Sequence, residues 1–91
     1  MRVRFTVEAL AHIAAFHTYI GAKSPRAAEH VVKRIFAEAD RLGEFPRLGH
    51  QGQVPGTLEL AVRRLPYIIV HELGRNGQVI VLGVYHGAQD R

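Results

Sequence analysis

From Arg2 to Thr6 polar and apolar residues alternate, with Val3 and Phe5 on one side and Arg2 and Arg4 on the other. A period of two over this length predicts a half-buried strand. At Thr6 the period changes. Thr6 is placed to cap a helix, Glu8 sits in its first turn where the helix dipole favours negative charge, and Leu10, Ile13, Phe16, His17 and Ile20 recur at helical spacing. Gly21 is a natural stop. Ser24-Pro25 then opens a second helix, because serine caps and proline at the first position lacks only an N–H that had no partner there. Its apolar stripe runs through Ala28, Val31, Val32, Ile35, Phe36, Ala39 and Leu42, ending at Gly43. Lys33, Arg34, Glu38 and Arg41 are expected to face away, and Glu29 to pair with Lys33 one turn on. The very short link between the helices predicts an antiparallel hairpin.

Leu48 to Gly56 is rich in Gly, Pro and Gln and reads as a surface loop. From Thr57 the period returns to two: Leu58, Leu60, Val62 and Arg64 share one face, and Glu59, Ala61 and Arg63 the other. Tyr67 to Leu73 contains Ile68-Ile69-Val70, apolar on both faces as a central strand would be. Asn76-Gly77 is a strong hairpin-turn signal, and Val79 to Val84 is again almost wholly apolar. The result is an α+β order, β-α-α-β-β-β, with a helical hairpin on one face of a small, mainly antiparallel sheet. The N-terminal strand and the strand beginning at Thr57 are the expected edges. There are no internal repeats, and residues 1–91 read as one domain.

A chain of 91 residues buries only about 60–65% of the surface it exposes when unfolded, which leaves little room for an enclosed active site. No apolar run approaches the ~20 residues of a membrane span, and Met-Arg-Val-Arg-Phe reads as a strand rather than a signal peptide. The absence of cysteine excludes disulfides and thiolate metal sites, and fits a reducing cytoplasm. The formal charge is +4, which favours an acidic partner or a phosphate backbone. Lys23 and Lys33 are the only lysines, so ten of the twelve basic residues are arginines, whose planar forks suit carboxylate and phosphate.

Leu65-Pro66-Tyr67-Ile68-Ile69-Val70, followed by a strand ending in Tyr85-His86-Gly87-Ala88-Gln89-Asp90, resembles the closing signature of the RelE/ParE superfamily of bacterial toxins, closest to its ParE-like branch. Phe5-Thr6-x-x-Ala9, Tyr19-Ile20, Ser24-Pro25-x-Ala27-Ala28, Glu44-Phe45-Pro46-Arg47-Leu48-Gly49 and Pro55-Gly56-Thr57-x-Glu59-Leu60 extend the resemblance over essentially the whole chain. None of these pieces is specific alone; their order is. The resemblance implies the toxin of a type II toxin–antitoxin module, neutralised by a small cognate antitoxin that wraps the hairpin and sheet. It implies a hetero-oligomer that reaches operator DNA only through the antitoxin.

Two activities divide the superfamily. Its ribonucleases cut ribosome-bound messenger RNA, which requires a base for the 2′-hydroxyl, cations for the phosphorane and an acid for the leaving oxygen. Here Gln51 to Thr57 holds no lysine, and Tyr67-Ile68-Ile69 lacks the cation that nuclease members place there. Only His86, with Tyr85 beside it and Arg64 as the available cation, matches part of a catalytic set. That departure favours the ParE-like branch, whose members resemble poisons of DNA gyrase. On this reading the chain is not an enzyme, and Arg63, Arg64, Tyr85 and His86 are candidate target-binding residues. Each has a plainer reading: His86 as the last strand residue bonded to backbone, Tyr85 as an amphipathic strand residue, Arg64 in a structural ion pair, Arg63 exposed to solvent. His12, His17, His30, His50 and His71 lack metal-site spacing, so neither metal nor cofactor is expected. The endonuclease, and a non-toxic family member that keeps only antitoxin binding, are the alternatives.

Overall fold

The computed structural model describes residues 1–87, so the Ala88-Gln89 of the terminal motif lies outside the described residues. The elements are β1 (Arg2–Phe5), α1 (Val7–Gly21), α2 (Pro25–Asp40) with a 3-10 turn at Arg41–Gly43, β2 (His50–Gln51), β3 (Thr57–Ala61), β4 (Tyr67–Leu73) and β5 (Gln78–His86). The five strands lie in the order β1-β5-β4-β3-β2, all antiparallel except β1, which runs parallel to β5. Both helices cover one face.

Both expected caps form. The Thr6 hydroxyl accepts from the Ala9 backbone N–H at 3.0 Å and donates to the Leu82 carbonyl at 3.1 Å, tying the start of α1 to the sheet. The Ser24 hydroxyl accepts from the Ala27 N–H at 3.1 Å. Ala28, Val31, Ile35, Ala39 and Leu42 are buried as the stripe predicts, over Leu60, Val62, Ile69, Val79, Val81 and Val84. Asn76 and Gly77 both have positive φ, 62° and 70°, and turn the chain within a three-residue link, Arg75–Gly77, closed by the Gly74 N–H donating to the Gln78 carbonyl at 2.7 Å. Between the Val70–Gly83 and His71–Val81 pairs, β5 carries one extra residue, Leu82, a bulge whose carbonyl is the one Thr6 captures.

Six expectations need correction. The loop from Leu48 to Gly56 contains a strand, β2, whose His50 and Gln51 pair with Glu59 and Leu58. It reaches β3 because Gly49, at φ 97°, brings its Cα against the Glu59 carbonyl, where any Cβ would lie 2.1 Å from the oxygen. The sheet edges are therefore β1 and β2, and β3 is interior. On α1, Ala9 rather than Leu10 joins Ile13 in the core, because the helix is apolar almost all round and its spacing singles out no face. Glu38 is not outward: it is 6% exposed, held between Arg34 and Arg41. Glu29 is taken by His17 across the hairpin at 2.7 Å instead of by Lys33. Finally, the strand from Thr57 ends at Ala61, so Arg63 and Arg64 do not alternate across a sheet. Val62 donates to the Tyr67 carbonyl at 2.9 Å and Leu65 to the Val62 carbonyl at 3.2 Å, closing a turn.

Candidate functional site

The alternation of β5 separates the two residues that the terminal motif placed side by side. His86 pairs with Tyr67 on the helix-covered face, its ring edge-on to Tyr67 at 5.4 Å, and Tyr67 in turn packs on Phe16 of α1 at 4.8 Å. Burial pushes the Tyr67 phenol pKa up, which keeps its proton in place. Tyr85 pairs with Ile68 on the opposite, helix-free face. Its ring folds back over Gly83 toward His12, 5.0 Å away between ring centres. Gly83 permits this, since a Cβ there would lie 2.9 Å from the Tyr85 ring and 3.1 Å from His12. His12 is a residue that the sequence did not single out. Its Nδ1 accepts the Val84 backbone N–H at 3.1 Å, on a stretch of β5 beyond the end of β1. A helix side chain thus continues the hydrogen bonding of the missing strand.

Arg63 and Arg64 occupy the turn between β3 and β4, at the same end of the sheet as His86, and both are exposed. Arg64 has φ 65°, as the third residue of a type II turn requires. Glycine or asparagine is usual there, and a side chain costs about 1 kcal/mol or more in this conformation. The turn is drawn onto α2: the Arg34 Nη2 donates to the Arg63 carbonyl at 2.9 Å. Arg34, Glu38, Arg41, Arg63 and Arg64 line an open cleft of about 440 Å³. Glu38 forms its floor, 3.8 Å from Arg34 and hydrogen-bonded to Arg41. Sequence reading missed the three helical members. Their spacing, four residues and then three, puts them on one stripe of the helix and was the available signal.

A third feature is the outer surface of α1. Val7 is 81% exposed, Leu10 47% and Tyr19 79%, and Ala11, Ala14 and Ala15 between them also face solvent. A helix that is apolar on every side is ordinarily buried on every side. Among the described residues, no group of His, Cys, Asp or Glu is arranged to hold a metal ion. No helix there is long and apolar enough to cross a membrane.

The sequence profile of the ParE toxins of the type II toxin–antitoxin system parDE matches residues 3–91. This chain belongs to the ParE toxin family. Toxin RelE2 of Caulobacter vibrioides is 34% identical over 88 residues, covering 97% of both chains. Y4kP of Sinorhizobium fredii, named as a candidate toxin, is 38% identical over 88 residues, 97% of this chain and 90% of its own. A solved structure of a chromosomal ParDE toxin–antitoxin system from P. aeruginosa superposes with a TM-score of 0.82 at 21% identity, covering 94% of this chain and 95% of the other. At that identity the superposition speaks for the fold. The two helices on a five-stranded mixed sheet are thus the ParE-toxin architecture, and the chain is a type II toxin.

Proposed function

We propose that residues 1–91 act as one toxin domain in the cytoplasm, inhibiting DNA gyrase by binding rather than by turnover, and that a cognate antitoxin holds the toxin in check. The observation that carries the antitoxin half is the outer face of α1. Val7, Leu10, Ala11, Ala14 and Ala15 form an apolar arc that a soluble monomer would not leave to water, and an amphipathic helix laid along it would bury it. The edge strands β1 and β2 offer backbone to an extended segment of the same antitoxin. Operator DNA is reached through the antitoxin.

Support for binding over turnover comes from the scattering of the candidate groups. Tyr85 and His86 lie on opposite faces of β5, and the carboxylate that lines the cleft with Arg63 and Arg64, that of Glu38, is tied up between two guanidiniums. General acid–base cleavage needs base, acid and cation around one scissile phosphate. Arg63, Arg64, Tyr85 and His86 are the proposed contacts to the target. The endonuclease alternative rests on His86, and its substitution is the dividing experiment. On a gyrase-binding reading, His86→Ala leaves folding and antitoxin binding intact, and induction of the wild-type chain produces filaments and a DNA-damage response while translation continues. Purified toxin then inhibits supercoiling at stoichiometric concentration. Codon-positioned cleavage of ribosome-bound message, lost by a factor of ~10²–10⁴ on His86→Ala with supercoiling untouched, would reject the proposal.

A further inference from the structure

Among the described residues, the cleft between α2 and the β3–β4 turn holds four arginines and one carboxylate, an excess of three positive charges in about 440 Å³. The geometry points to a seat for the phosphodiester backbone of a nucleic-acid duplex, contacted by this chain directly. Three features narrow the ligand.

The cations are all arginines, two on each bank, so each presents a planar fork that can take a phosphate through paired hydrogen bonds. Among the described residues no aromatic lines the cleft, so it offers no stacking platform for unpaired bases, and contact stops at the backbone. Glu38 lies at the floor with 6% exposure, orienting Arg34 and Arg41 from beneath. Its negative charge keeps an anion at the mouth of the cleft. A duplex backbone, which is a convex rail of phosphates, meets such a mouth. A small enclosed anion or an inserted acidic side chain would have to approach the carboxylate. The turn itself speaks for the same role. Arg64 keeps a side chain at φ 65° where glycine would be relaxed, and that side chain faces the cleft. Arg34 in turn ties the turn to the helix through the Arg63 carbonyl at 2.9 Å, so the two banks are held together before any ligand arrives. The inference stands apart from the choice of target, because DNA on gyrase and structured RNA on the ribosome both carry phosphodiesters.

The test is fluorescence anisotropy of the full chain with a labelled duplex of about 20 base pairs, over about 50 to about 200 mM salt, with thermal melts of every variant. Three neutralised phosphates give a log–log salt slope of about −3 and a loss of roughly 40-fold in affinity across that range. Arg63→Glu with Arg64→Glu should flatten the slope by about 2 and weaken binding at the lowest salt by at least ~10-fold. Arg64→Gly, which relieves the backbone and so cannot be dismissed as misfolding, should flatten it by about 1 with an undiminished melting temperature. Arg2→Glu with Arg4→Glu on the edge strand carries the same change in net charge and should leave affinity within about threefold if contact rather than bulk field decides. No duplex binding at low salt, or equal losses for the two double variants, would overturn the inference. Poly-glutamate that displaces the duplex stoichiometrically would also overturn it, and would make the cleft a site for acidic peptide.

Discussion

The two helices are nearly equal in length, 15 residues in α1 and 16 in α2, and they pack side by side, yet they are built on opposite plans. α2 divides its residues sharply: Ala28, Val31, Ile35 and Ala39 enter the core, and its polar side carries ionic contacts to its own neighbours and a hydrogen bond to the β3–β4 turn. α1 sends only Ala9 and Ile13 fully inside and shows an apolar arc to water. On the proposed function, stability and recognition are divided between the helices. α2 completes the monomer, whereas α1 keeps the apolar arc that the proposed function assigns to the antitoxin. A helix whose packing is unfinished in the monomer is the one whose sequence can be tuned for binding at little cost to the fold.

The largest effect should come from exchanging the same kind of truncation between the helices. Ile35→Ala removes a wholly buried side chain of α2 and should cost about 2–5 kcal/mol in urea unfolding. Leu10→Ala on α1 should cost less than about 0.5 kcal/mol in the same assay, while weakening the antitoxin complex by roughly 10- to 100-fold. If Leu10→Ala unfolds the chain as Ile35→Ala does, the division of labour between the helices is wrong.

The caps sharpen the comparison at the next level. Ser24→Ala should cost about 1 kcal/mol, the usual value for a lost N-cap. Thr6→Ala should cost about 2 kcal/mol, since it removes both the cap and the hydrogen bond to the bulged Leu82 carbonyl. Equal losses, measured by denaturation midpoints at constant m-value, would show that α1 is not anchored to β5 through its N-cap.

The smallest expected effect is a pH dependence on the covered side. His71 is wholly buried on β4, and its Nε2 donates to the Leu48 carbonyl at 3.1 Å, in the segment that leaves α2. Its Nδ1 has no partner among the described residues, so a proton there would be buried unpaired. Burial pushes its pKa below the usual 6.5, against the weaker upward pull of the Leu48 carbonyl. The unfolded chain therefore takes up a proton that the folded chain refuses. Stability from this group is complete above 6.5 and is lost as the pH falls from there toward the lower folded value. His71→Met should flatten that part of the stability profile; an unchanged profile would assign the acid sensitivity elsewhere.

How much of this was legible along the chain differs by region. The element order, both caps, the Asn76-Gly77 turn, the interior character of β4 and β5 and the core face of α2 follow from local rules. Hydrophobic period, cap chemistry and positive-φ residues act over a few positions and need no knowledge of distant neighbours. The motif at the end of the last strand was legible too, and carried the family with it. What only the tertiary structure decided depends on approach between distant segments. β2 exists because Gly49 lets one backbone close on another ten residues later. His12 becomes a backbone acceptor only because β1 ends and leaves β5 unpaired beside α1. Glu38 reads as an outward charge on its helix, and becomes a buried floor when the turn of Arg63 and Arg64 folds against it. A charge on a helix has no local reason to be inside. It is placed there by partners from another part of the chain, and such pairings have no periodicity to read.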